Sequence, residues 1–277
     1  MNADELLWDE LHARQISSIS ELTSEEAIDL VSRYGVWIPV QAYENVPWLA
    51  PYAIRRSRVR SDVRVEGEKR DMWGFPDERG YFTDDNSLIK QIHKGKRVHP
   101  SGSPYQDSKL STGMVCCHVW SGTTQNPLLF SFIPNLVWLP KSLAPLSDNH
   151  DGSIAHPVHD HLKRVSMFRF REHGVASAHE RTQQAWAALN CSGLVPCAGD
   201  SFEMSDANKL IKLANGRVSR LVLFVEDLLG TGPRPKKFSK RYHAGVGRGI
   251  DKSFPSVDSV IPREDLVHLL AELRSCQ

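Results

Sequence analysis

Three groups of residues carry side chains able to move protons, hold cations or attack as nucleophiles. The first is Cys117-His118-Val119-Trp120, followed downstream by Asn135-Leu136-Val137-Trp138-Leu139-Pro140. An imidazole with an ordinary pKa of about 6.5 exchanges its proton at neutral pH. Such a group can serve as a general base, and a hard divalent cation can neutralise charge on a departing oxygen. The second group is Ser147-Asp148-Asn149-His150-Asp151 with His156-Pro157-Val158-His159-Asp160-His161, where carboxylates and imidazoles lie close in sequence. The third is Cys191 with Cys197, separated by five residues where zinc knuckles use two to four. The His-x2-His-x-His spacing of 156–161 matches no structural zinc site either, so no structural zinc is expected. A Cys-His-Asp nucleophile built on Cys117 is the weakest of these readings.

The Cys117-His118 strand, the turn behind it and the Asn135-Leu136-Val137-Trp138-Leu139 segment resemble the HNH, or ββα-metal, nuclease family over about 40 of the 277 residues. The resemblance implies an HNH-like core at about residues 114–172 and a Mg²⁺- or Mn²⁺-dependent DNA endonuclease, of the kind found among bacterial restriction and defence enzymes. It implies His118 as general base and Asn135 as the residue holding the loop that carries the base. A helix after the hairpin would supply the last metal ligand. Two positions depart from the family's pattern. Cys117, a soft ligand poorly suited to Mg²⁺, stands where the family carries Asp or His, and Ala144 stands where a histidine is expected. The ligand is then sought in Asp148 or His150, with His159 next, and Cys117 as the remaining candidate. Each residue also has a plain structural alternative: a strand histidine satisfied by a neighbour, a turn-capping asparagine, a solvated helix start. A non-catalytic nucleic-acid-binding protein with a degenerate core, or an RNA-directed nuclease, are the competing functions.

Local patterning supplies elements to position these residues. Thr23 with Glu26 forms a capping box, and Gly35 stops the helix that carries Ala27, Leu30 and Val31. Trp37-Ile38-Pro39-Val40 reads as a short strand or turn. Residues 47–79 are irregular, with alternating Arg and Val at 58–65 suggesting a strand with one basic face. Asp84 or Asp85 can cap a short helix through Leu88, Ile89 and Ile92. Met114 to Trp120 reads as a strand, Ser121 to Pro127 as its turn and Leu128 to Ile133 as the returning strand. Helices are expected at Val158 to Glu172, and at Ala178 to Leu189 behind the capping pair Ser177 and Glu180. Further helices are expected at Lys209 to Ala214, at Arg217 to Leu229, and from Pro262 onward with Leu266, Leu269, Leu270 and Leu273. The fold class is therefore α+β, an HNH-like hairpin-plus-helix core flanked by mainly helical and irregular DNA-gripping regions. The expected divisions are 1–110 as an N-terminal DNA-contacting region, 111–175 as the catalytic core and 176–277 as a C-terminal helical region with a basic loop.

Composition narrows the partners. With 40% apolar and 24% charged residues the chain is an ordinary globular one, not a disordered or fibrous one. It contains no apolar run of membrane-spanning length, its N-terminus is acidic, and five cysteines do not suggest a secreted disulfide framework, so a cytoplasmic protein with reduced thiols is expected. The net charge of +1 hides a polarised distribution. Residues 55–70 hold seven positive residues against three negative, about +4, with Arg55, Arg56, Arg58 and Arg60 leading the run. Residues 234–252 hold seven against one, about +6, including Lys236, Lys237, Lys240, Arg241 and Arg248. The rest of the chain is then near −9, by difference from the total. Lys90, Lys94, Lys96 and Arg97 form a smaller basic set. Phe238 and Tyr242 interleave the second run, the mixture expected where phosphates are gripped and a base or sugar is packed. Gly245-Val246-Gly247-Arg248-Gly249 lacks the strand-to-helix context of a dinucleotide or P-loop, and fits a flexible basic loop. Double-stranded DNA is the expected partner, and palindromic sites would favour a homodimer.

Overall fold

The structure is a computed structural model. It describes residues 1–43, 112–126, 128–148, 154–173, 180–189 and 263–275, with short pieces at 53–55, 82–84, 104–105, 109, 191, 193–196, 200–201 and within 212–231. The architecture is mixed α and β: two N-terminal helices, a small mainly antiparallel sheet, and further helices after the sheet.

Helix α1 (Ala3–Ala13) begins where the Asn2 side chain accepts from the Asp4 amide, and buries Ala3, Leu7 and Leu11 at four-residue spacing, one stripe of a helix. Helix α2 (Ser24–Tyr34) has the expected capping box, with Thr23 and Glu26 exchanging bonds, and buries Ala27, Leu30, Val31 and Tyr34. It ends at Gly35 for a steric reason. The backbone there is extended, φ −74°, so no left-handed conformation is involved, but a Cβ would sit 2.5 Å from the Val31 carbonyl oxygen. The chain runs directly into strand β1 (Val36–Trp37).

Strands β4 (Met114–His118) and β5 (Leu136–Pro140) form an antiparallel pair, with Cys116 opposite Trp138, Cys117 opposite Val137 and His118 opposite Leu136. β5 also pairs antiparallel with β1, and β1 pairs parallel with β6 (Asp200–Ser201), giving the order β4-β5-β1-β6. A separate parallel pair joins β2 (Ala53–Arg55) and β3 (Phe82–Asp84). β5 is apolar and buried at all five positions because it is an inner strand, with α1 and α2 both packed on it. The expected boundary near residue 110 thus runs between strands of one sheet, since β1 before it is hydrogen-bonded to β5 after it. The two parts are further pinned at α1: the Ala3 amide donates to Thr112 O (3.1 Å), Ser142 N to Asp4 Oδ1 (2.8 Å) and Trp8 Nε1 to Ser142 Oγ (2.9 Å). Gly113, at φ +83°, must be glycine here, because a Cβ would fall 1.9 Å from Asn2 Oδ1.

The returning strand is not where the apolar run Leu128 to Ile133 suggests. Residues 128–131 are turn, Ile133–Asn135 is a 3₁₀ turn, and the partner of β4 is Leu136–Pro140. Leu129, Phe130, Phe132 and Ile133 are all buried without alternation, so this is an apolar loop folded into the core, which periodicity cannot tell from a buried strand.

Beyond the sheet, α3 (Pro145–Asp148) leads to α4 (Ala155–His173), whose buried face carries Val158, His159, Leu162, Val165 and Ser166. α4 packs on α2, on α3 and on the 133–135 turn, where Ser166 Oγ donates to Pro134 O (2.6 Å). Arg169 of the same helix is buried: it donates to Ile38 O (2.5 Å) and to Tyr43 Oη (3.2 Å), and its guanidinium lies over the rings of Trp37 (5.3 Å) and Tyr43 (5.7 Å). α5 (Glu180–Ala187) adds Trp186 to an aromatic cluster with Trp120, Phe132 and Phe170. α6 (Arg263–Ser275) begins directly after Pro262. No helix among the described residues is long and apolar enough to cross a membrane.

Candidate active site

The link between β4 and β5, residues 119–135, is largely buried, so its backbone polar groups need partners that no strand ladder supplies. Turn bonds within the loop supply many of them, and Asn135 supplies others. It is 0% exposed, its Nδ2 donates to Thr123 Oγ1 (2.7 Å) and Leu129 O (3.0 Å), and its Oδ1 accepts from the Trp120 amide (2.9 Å). Its backbone carbonyl accepts from the Val119 amide at 2.9 Å. Thr123 Oγ1 donates in turn to Trp120 O. Asparagine is the residue for this place, because it offers two donors and an acceptor on one short planar group. With both amide hydrogens used in the loop, Asn135 is a positioning residue.

His118 ends β4 and is 3% exposed, its ring stacked on Phe130 with centroids 5.1 Å apart and planes 21° apart. Helix α4 brings a second imidazole to the next residue: His159, 5% exposed, has Nε2 2.7 Å from Val119 O. A carbonyl oxygen only accepts, so Nε2 carries the proton and donates; ligating a metal through Nε2 would forfeit this bond. The structure therefore brings His118, Asn135 and His159 to one loop. Cys117 is placed apart from His118. The pair sits in unbroken register, consecutive strand side chains face opposite sides of the sheet, and the Cys117 thiol lies 3.7 Å from Val115 O. Ala144 is buried in the core just before α3.

These positions do not make a donor set for Mg²⁺ or Mn²⁺. Hard cations take oxygen ligands, whereas the groups converging on Val119 are imidazoles, and no three His, Cys, Asp or Glu side chains gather among the described residues. Of the other expected ligands, His150 and the side chain of Asp148 lie outside the described residues. So do Arg56, Arg58, Arg60, Lys90, Lys94, Lys96, Arg97, Lys236, Lys237, Lys240, Arg241 and Arg248, while Arg55 is described only as backbone of β2.

On the outer side of the loop a cavity of about 350 Å³ opens between residues 120–129 and helix α4. Trp120, Gly122, Thr123, Asn126 and Leu129 line one side, His159 and Lys163 the other, with Leu189 from beyond α5. Lys163 Nζ stands 5.1 Å above the Trp120 ring. No motif in the sequence marks Lys163. The legible signal is its position four residues after His159, on the same face of a helix. His161, by contrast, faces α2, with Nε2 2.9 Å from Ser32 Oγ, and burial, helped by the nearby Arg164, pushes its pKa below the usual histidine value.

Comparison with protein-family models, with curated proteins and with solved structures returns no match.

Proposed function

We propose that the protein is a metal-dependent DNA endonuclease that hydrolyses phosphodiester bonds, of restriction or defence type, with His118 as the general base. The observation that carries the reading is the meeting of strand and helix at one peptide unit: His118 precedes Val119, His159 of α4 binds the Val119 carbonyl, and Asn135 ties the loop between the strands. A base must be held by its surroundings if it is to take a proton from a positioned water, and this loop is held by three side-chain bonds from one residue. The requirement for Mg²⁺ or Mn²⁺ rests on the sequence resemblance, which seeks the missing ligand first at Asp148 or His150. The basic arms at 55–60, 90–97 and 236–248 suit the phosphates of a duplex.

The test is digestion of supercoiled plasmid, modified and unmodified, with Mg²⁺ or Mn²⁺ and with EDTA. Metal-dependent nicking or linearisation that falls by at least about a hundredfold in His118→Ala, the range contributed by a general base, supports the proposal. Cleavage at the wild-type rate in His118→Ala refutes it.

One observation favours a second reading, a nucleic-acid-binding protein that does not cut. His118 is 3% exposed and stacked on Phe130, and Cys117 turns to the other face of the sheet. On this reading DNA is bound with a steep salt dependence and neither metal produces cleavage.

A further inference from the structure

The cavity beside the loop is lined by polar and aromatic side chains. Its polar groups include two donors: the Lys163 ammonium, 5.1 Å from the centre of the Trp120 ring, and the Asn126 amide, whose Oδ1 is already taken by the Leu128 N–H at 2.9 Å, so that Nδ2 is left to donate. Among the described residues no carboxylate lines the cavity, and the rest of the lining is the Trp120 indole with Gly122, Thr123, Leu129, His159 and Leu189. A ligand matched to this wall is planar and partly apolar, rich in acceptors and anionic. The volume of about 350 Å³ lies at the small end of ligand pockets.

We propose that this cavity binds a single unstacked nucleotide unit, its base against Trp120 and its phosphate at Lys163. The choice of a nucleotide among planar anions rests on the polyanion reading above, while the site is tested without cleavage. Two sources share this chemistry, a free mononucleotide and a nucleotide turned out of a DNA strand. Base stacking on an aromatic residue and an ammonium–phosphate contact are each recurrent ways of holding such units.

Gly122 provides a plug. It lines the cavity, and a Cβ added to it meets nothing within 4 Å, so Gly122→Leu places a bulky side chain at the cavity wall with no clash at its Cβ. Lys163→Met removes the charge and keeps the apolar stem. Binding to the full chain is measured in EDTA, by calorimetry for an equimolar mixture of the four deoxymononucleotides and by fluorescence polarisation for a labelled single-stranded oligonucleotide; circular dichroism checks that each variant is folded. Each substitution is expected to weaken binding about tenfold, the size of one lost charge-assisted or stacking contact. Loss on both ligands supports the site with a soluble nucleotide as a source. Loss on the strand alone, with no mononucleotide binding, supports it with the strand as the source. If both folded variants bind both ligands like the wild type, or if neither ligand binds the wild type, the proposal is overturned. The nuclease reading fails separately, on plasmid cleavage by the wild type and His118→Ala.

Discussion

Replacing Asn135 by alanine should unlock the loop that carries His118. The substitution removes three side-chain hydrogen bonds, to Thr123 Oγ1, Leu129 O and the Trp120 amide, at a position with no solvent exposure. At about 1 kcal/mol net for each bond the loss is about 3 kcal/mol, rising towards 5 where the loop groups find no water. That is a large share of a typical stability of about 5–15 kcal/mol. With a urea slope of about 3 kcal/mol per molar, the unfolding midpoint followed by far-UV circular dichroism should fall by about 1 M or more. Asn135→Asp sharpens the test, because it keeps the acceptor for Trp120 but turns a carboxylate towards the Leu129 carbonyl. Burial there raises the folded-state pKa above the unfolded value of about 3.9. A raised carboxyl favours the protonated form in the native state, so the charge penalty is absent below the unfolded pKa. It grows by about 1.4 kcal/mol per pH unit until the folded pKa is passed. Asn135→Asp should therefore be least harmful near pH 4 and most harmful at neutral pH. A midpoint within about 0.2 M of wild type for Asn135→Ala, well inside the ordinary extrapolation scatter, would refute the clamp. So would a pH-independent cost for Asn135→Asp.

Three further outcomes are expected. Gly35→Ala should cost about 2 kcal/mol and lower the melting temperature by about 4–8 °C, because its Cβ would press on the Val31 carbonyl oxygen at 2.5 Å; an unchanged melting curve would show that the α2–β1 junction can yield. The Glu10 carboxylate is held below the usual carboxylate range, first by its hydrogen bond to Arg33 and then by that from Tyr34, against an opposing cost of burial. Being depressed, it contributes stability above about pH 4.3 that is lost as pH falls through the folded value, so the gap between wild type and Glu10→Gln, about 1 kcal/mol for a partly exposed pair, should close in acid urea titrations. Alanine at Lys236, Lys237, Lys240 and Arg241 together should flatten the slope of log binding constant against log salt by about 3–4, whatever the DNA sequence, and an unchanged affinity would leave that run a solvated face.

Most of the α-helical framework was legible because helix signals are local. Thr23 and Glu26 meet within one turn, Gly35 ends the helix next to them, and the apolar spacing of α2 and α4 survives any tertiary arrangement. The α4 prediction of residues 158–172 differs from the observed Ala155–His173 only at its ends. Leu128 to Ile133 reads as the returning strand because a buried loop and a buried strand are equally apolar; the backbone bonds within the stretch and those of Asn135 and Asn126 show that it turns.

By itself the sequence determined an α+β chain with helices at both ends and a strand running through Cys117 and His118, but it put the returning strand at Leu128 to Ile133, whereas the pairing falls at Leu136–Pro140. Tertiary structure alone decided which side chains meet. That β1 joins the sheet of β4 and β5, that Cys117 faces away from His118, and that His159 reaches the Val119 carbonyl across 40 residues all depend on strand register and helix packing. Those contacts are long-range. They are chosen by the burial of whole faces and by the need to satisfy every buried polar group, and neither can be read one residue at a time.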